Sequence, residues 1–130
     1  MEQQELIIAV RRQAGHVLVT VAGEIDIATA AQLRDRLAGP VGDGQQVIVD
    51  LGGVGFIDAA GLRVLASAAA RAASRGGSLR LAAARRPVRR VLALTGLDRD
   101  IPLCATVAQA QAGLRADPDV LPDATAPSGH

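Results

Sequence analysis

The sequence predicts one α/β domain, a mixed β-sheet packed with about four helices in the order β-β-α-β-α-β-α-β-α. Three observations carry that reading. Alternating apolar residues near the N-terminus mark a hairpin. Behind it, apolar runs of strand length alternate with segments whose apolar residues recur at helical spacing. Cap residues, Gly or Pro punctuate the junctions. The length of 130 residues suits one such domain, which can bury roughly two-thirds of its unfolded surface. The domain is expected over residues 1–115. Residues 116–130, rich in Asp, Pro, Ala, Ser and Gly, are expected as a mobile tail with little to bury.

Element by element, Leu6, Ile8 and Val10 alternate, as do Val17, Val19 and Val21, and Gln13-Ala14-Gly15 supplies the turn between them. Residues 5–22 therefore read as the hairpin. Thr29 and Gln32 have capping-box spacing, so a helix starts after Thr29 with the stripe Ala30, Leu33 and Leu37, and Gly39-Pro40 should stop it. Val47–Leu51 reads as a buried strand, followed by a Gly-rich crossing over residues 52–57. Asp58 is placed to cap a helix running to about Ser74, with Leu62, Leu65, Ala66, Ala69 and Ala73 inward and Arg63, Ser67, Arg71 and Arg75 on another face. Gly76-Gly77 ends that helix, and Leu79–Ala83 is the next strand. Pro87 opens a helix through Val88, Val91, Leu92 and Thr95 that Gly96 closes. A strand over Ile101–Cys104 precedes a second Thr-x-x-Gln box at Thr106 and a last helix carrying Val107, Ala110 and Leu114.

Composition narrows the function. All fourteen basic residues are Arg, the net charge is +1, and there is one Phe with no Trp or Tyr. Without Lys there is no Schiff base, no Lys nucleophile and no Walker loop. A near-neutral balance and the lack of aromatic platforms argue against nucleic acid as a partner. Gly53-Val54-Gly55 does not complete a dinucleotide fingerprint, because the third glycine position is Asp58. His16 and His130 are isolated and no Cys/His set has ligand spacing, so neither a metal nor another cofactor is expected. Cys104 reads as a small buried hydrophobe, not a disulfide partner. The acidic start and the absence of a long apolar run point to a cytoplasmic protein with no membrane association. The cluster Arg85-Arg86-Pro87-Val88-Arg89-Arg90 reads as a solvated helix face.

The carboxylates remain. If the loops carrying Asp26 and Asp58 open at the same end of the sheet, both acids face one surface, where α/β proteins usually place function. Asp26 is not needed as a cap if Thr29 serves that role, whereas Asp58 has an evident capping role. A phospho-accepting receiver domain with Asp58 as acceptor fails, because it needs an acid pair after the first strand and a late Lys.

Gly23-Glu24-Ile25-Asp26-Ile27-Ala28-Thr29-Ala30, Val47-Ile48-Val49-Asp50-Leu51 and Val54-Gly55-Phe56-Ile57-Asp58-Ala59-Ala60-Gly61-Leu62 resemble the STAS domain of bacterial anti-sigma-factor antagonists. Val88–Leu97 resembles the same family's third-helix segment, and the blocks cover about residues 5–115 in order. The resemblance implies a non-enzymatic regulator that binds an anti-sigma factor, usually a kinase with a histidine-kinase-like ATP-binding fold, and so frees a sigma factor. It implies a partner face of Asp26, Ile57, Asp58, Ala59, Ala60, Gly61 and Leu62, extended by Arg63, Ser67 and Arg71. It leaves room for a homo-oligomer. In the family a Ser or Thr follows the Asp matching Asp58 and is phosphorylated to release the partner. Here that position is Ala59, so the usual switch has no hydroxyl. Three readings follow: an antagonist that always binds, phosphorylation elsewhere (Ser67, Ser74, Thr29 or Thr95), or a STAS module used as a scaffold or small-ligand (nucleotide or lipid) binder.

Overall fold

The computed structural model describes residues 5–116. The tail expected over 116–130 lies outside the described residues except for Ala116, which ends the last helix. The elements are β1 (Ile7–Gln13), β2 (His16–Ile25), α1 (Ala30–Gly42), β3 (Gln46–Ile57), α2 (Ala59–Ser74), β4 (Ser78–Ala82), α3 (Arg86–Leu94), α4 (Leu97–Asp100), β5 (Leu103–Cys104) and α5 (Val107–Ala116). They form one five-stranded sheet in the order β1-β2-β3-β4-β5. β1 runs antiparallel to β2, and all later neighbours are parallel. The mixed α/β sheet predicted from the sequence is the observed architecture.

Strand alternation divides the core. Val47, Val49 and Leu51 of β3 pack with Leu33, Leu37, Leu65, Val88 and Leu92, which come from α1, α2 and α3. Ile48, pointing the other way, packs with Ala82 and with Ala110 and Leu114 of α5. Helices α1, α2 and α3, with Leu97 of α4, therefore cover one face and α5 covers part of the other. Cys104 packs against the α5 cluster as a small hydrophobe, but it is half-buried where full burial was expected.

Several boundaries differ from expectation, each for a physical reason. Gly39-Pro40 does not stop α1, which runs on to Gly42. Pro40 and Val41 are buried, and that burial outweighs the one hydrogen bond Pro40 cannot donate. The glycines after Leu51 do not form a crossing; they belong to β3 itself. Between Thr20 and Ala22, and again between Gly23 and Glu24, β3 spends one residue more than β2, so the strand is twice bulged. Asp50 Oδ1 accepts from Gly52 N at 2.8 Å across the first bulge. A Cβ on Gly53 would lie 2.7 Å from the Ala22 Cβ, so glycine there permits the close strand approach. In α2 the inward residues are Gly61, Leu65 and Ala72, flanked by Leu62, Val64, Ala68 and Ala69, while Ala66 and Ala73 are exposed. A helix this rich in alanine offers little contrast from which to read its phase. The single turn α4 was not foreseen, and the strand expected over Ile101–Cys104 shrinks to Leu103–Cys104. Gly96 does close α3, at φ +78°.

Candidate functional site

Ile25 and Ile57 are register partners at the ends of the parallel strands β2 and β3. The chain leaves the sheet side by side at Asp26 and Asp58, and Asp58 N donates to the Ile25 carbonyl at 3.0 Å. The two acidic junctions therefore open at the same end of the sheet.

Asp58 caps α2 as expected. Its Oδ1 accepts from Ala60 N at 2.9 Å and Gly61 N at 3.2 Å, so the carboxylate lies against the positive end of the helix. Gly61 brings the helix down onto the sheet. A Cβ there would stand 2.6 Å from Ile25 Cγ2 and 2.7 Å from Ile57 Cγ1. Only a residue without a side chain fits between those two branched, stiff side chains.

Asp26 is the correction. The predicted Thr29–Gln32 capping box does not form. Thr29 adopts φ −111° and ψ −13°, and its side chain makes no cap hydrogen bond. That backbone is not the extended one from which an N-cap hydroxyl reaches the N2 or N3 amide. Instead Thr29 Oγ1 donates to the Glu24 carbonyl at 2.7 Å and accepts from Asp26 N at 3.0 Å, fully buried beneath the loop. Asp26 Oδ1 accepts from Ala28 N at 2.9 Å and Thr29 N at 3.1 Å, closing a turn ahead of α1 without capping it. Gln32 Oε1 accepts from Leu6 N at 3.0 Å and ties the approach to β1. The second Thr-x-x-Gln box forms its first half: Thr106 Oγ1 accepts from Gln109 N at 3.0 Å, while Gln109 Oε1 accepts from Ala105 N at 3.1 Å, one residue before the cap.

Of the ten residues expected on a partner face, two lie beneath it. Ile57 is 3% exposed and Gly61 is buried, so both position the face instead of forming it. Ala59, Arg63, Ser67 and Arg71 are exposed, and Asp26, Asp58, Ala60 and Leu62 are half-buried at its upper end. One surface residue was missed. Ile27 is 84% exposed between Asp26 and Thr29, because the chain turns at Asp26 and breaks the alternation that buries Ile25. An apolar residue type signals burial, so the sequence held no cue to its exposure. Phe56 is also half-exposed, but strand alternation turns it away from Ile57, toward the α5 side.

Below the two junctions a groove of about 410 Å³ runs between α1 and α2. Its floor is apolar and its rim carries Arg34, Arg63, Ser67 and Arg71, with Ile27 and Ala60 at the upper end. The Arg85–Arg90 cluster is exposed except for Val88, whose side chain joins the core; Arg85 Nε donates to the Gly52 carbonyl at 2.8 Å. Among the described residues no group of three His, Cys, Asp or Glu side chains lies close enough to hold a metal ion. No helix among them is long and apolar enough to cross a membrane.

The model of the STAS domain family matches residues 8–110. The chain belongs to the STAS family. This STAS chain is 31% identical over 111 residues to the anti-sigma-F factor antagonist RsfB of Mycobacterium tuberculosis, covering 83% of the chain and 88% of the relative. It is 30% identical over 98 residues to the anti-sigma-B factor antagonist of Bacillus subtilis, covering 75% and 90% respectively. The crystal structure of an anti-sigma factor antagonist from Mycobacterium paratuberculosis is similar to this STAS fold with a TM-score of 0.78 at 32% identity, covering 85% of the chain and 94% of that structure.

Proposed function

We propose that the protein is a non-enzymatic anti-sigma-factor antagonist of the bacterial cytoplasm. It binds an anti-sigma factor of the histidine-kinase-like ATP-binding fold and thereby frees a sigma factor. The observation that carries the reading is the junction pair. In a STAS chain whose relatives bear that name, Asp26 and Asp58 leave the sheet together and Ala59 stands exposed on the first turn of α2. The binding surface comprises Asp26, Asp58, Ala59, Ala60 and Leu62, continuing along Arg63, Ser67 and Arg71, with Ile27 added as an apolar contact. Ile57 and Gly61 support it from below.

A phosphate at position 59 would add roughly −1.5 to −2 charge beside Asp58. Ala59 cannot accept one, so the surface stays competent to bind and its output follows abundance or another signal. The other hydroxyls fit a switch poorly. Thr29 is buried in its loop network, Ser74 Oγ donates to the Arg71 carbonyl, and Thr95 Oγ1 donates to the Val91 carbonyl. Ser67 alone stands exposed on the rim of the groove.

The experiment is a calorimetric titration of the protein into each purified kinase-type anti-sigma factor of its organism, with ATP present. The expected result is a stoichiometric complex with one of them, displacement of its sigma factor, and no label from ATP on the antagonist. No complex with any of them would overturn the reading. The α1–α2 groove favours a second reading, a small-ligand (nucleotide or lipid) module. That reading requires a rise in melting temperature with such a ligand in the absence of any protein partner.

A further inference from the structure

β1 is an edge strand of seven residues, and among the described residues no element pairs along its outer side. Ile7, Ala9 and Arg11 share one face of it, exposed Glu5 lies two residues before the strand begins, and Ile7 is 75% exposed. The helix on that face, α5, packs on β3, β4 and β5. A free edge of this length either carries devices against pairing or pairs.

The hairpin turn determines which backbone groups look outward. It closes on the Gln13–His16 pair across Ala14-Gly15. A two-residue hairpin closes on a hydrogen-bonded pair, and the ladder alternates from there. Ile7, Ala9 and Arg11 therefore aim their N–H and C=O groups at β2, and Ile8, Val10 and Arg12 aim theirs at the open edge.

We propose that this edge pairs antiparallel with β1 of a second copy about a two-fold axis at Ile8. In that register, with pairing extending the strand back to Glu5, Ile7 stands opposite Ala9 and Glu5 opposite Arg11 on one face of the joined sheet. On the other face Leu6 stands opposite Val10, and Ile8 meets its own copy. The neighbouring registers match polarity less well. An axis at Ala9 sets Ile7 against Arg11 and Leu6 against Arg12, and an axis at Val10 sets Ile8 against Arg12. The Leu6 N–H already donates to Gln32 Oε1. The new ladder therefore has two hydrogen bonds at the Ile8 pair and one from each Val10 N–H to the opposing Leu6 carbonyl. Because the contact is two-fold, the Glu5–Arg11 pair occurs twice, so each charge change counts twice. The edge is two strands away from the β3 end that carries Asp58, and the inference does not rest on the proposed function.

Sedimentation equilibrium of the full chain tests it. The mass should rise with concentration toward twice the monomer value of 13.3 kDa. Arg11→Glu and Glu5→Arg should each weaken the dimer about tenfold, since each sets like charges opposite one another at two places. The combined variant should restore the affinity. Both side chains are exposed, so melting temperatures should stay unchanged. A monomer at every concentration, a dimer indifferent to the single changes, or no recovery in the combined variant would overturn the proposal.

Discussion

The Asp26 and Asp58 junctions are built from the same parts at the same end of the sheet, yet they present different surfaces. Each aspartate follows an isoleucine that ends a parallel strand, and each Oδ1 accepts two backbone N–H groups. Asp58 passes straight into its helix. Gly61 allows that helix to drop onto Ile25 and Ile57, which leaves Ala59 outside as the first helical residue. Asp26 needs a loop before its helix, and the loop is held from beneath by the buried Thr29 hydroxyl, with Ile27 facing outward. One junction is fixed by the absence of a side chain and the other by the presence of a hydroxyl. The same acid thus yields a helix terminus in one case and a rigid apolar tip in the other.

Substitutions can separate the two designs. The largest effect is expected at Gly61, where Ala forces Cβ into Ile25 and Ile57; overpacking of this kind should cost about 2 kcal/mol even though Ala favours helix. Thermal unfolding of Gly61→Ala checks this, and an unchanged or raised midpoint would mean that α2 can slide away freely. Thr29→Val comes close behind. It keeps the shape but leaves the Asp26 N–H without its acceptor and the Glu24 carbonyl without its donor, for a loss of about 1–3 kcal/mol in denaturant titration. Asp58→Ala should cost less, about 1 kcal/mol, because only a helix cap is removed. If Asp58→Ala proved the more damaging of these two, the contrast between a cap and a buried network would be misjudged.

Most of the sheet was legible because the hairpin alternation and the run Val47–Leu51 have clear periods. The Asp58 cap was legible because an N-cap is a local event between one side chain and the next two or three amides. The Asp26 loop was not. Thr29 and Gln32 have the spacing of a capping box, but the Thr29 hydroxyl is drawn to Glu24 O and Gln32 to Leu6 N, partners that only the assembled sheet provides. The β3 extension was hidden for a similar reason: glycines in a sequence mark a turn or a bulge equally well, and pairing with Ala22 decides between them. At the site, the family resemblance puts Ile57 and Gly61 on the partner face, whereas helix packing puts both underneath.

The central claim is that the partner lies against the first turn of α2. Replacing Ala59 by Glu places a fixed negative charge next to Asp58 on the exposed first turn of α2, without disturbing the cap or the Gly61 contact. The direct measurement is calorimetric titration of the cognate anti-sigma factor with the wild type and with Ala59→Glu, each shown to melt at the same temperature. The account predicts tight binding by the wild type and at least a tenfold loss in the variant, corresponding to about 1.4 kcal/mol. Equal affinity of the two proteins would contradict it and move the interface elsewhere on the domain.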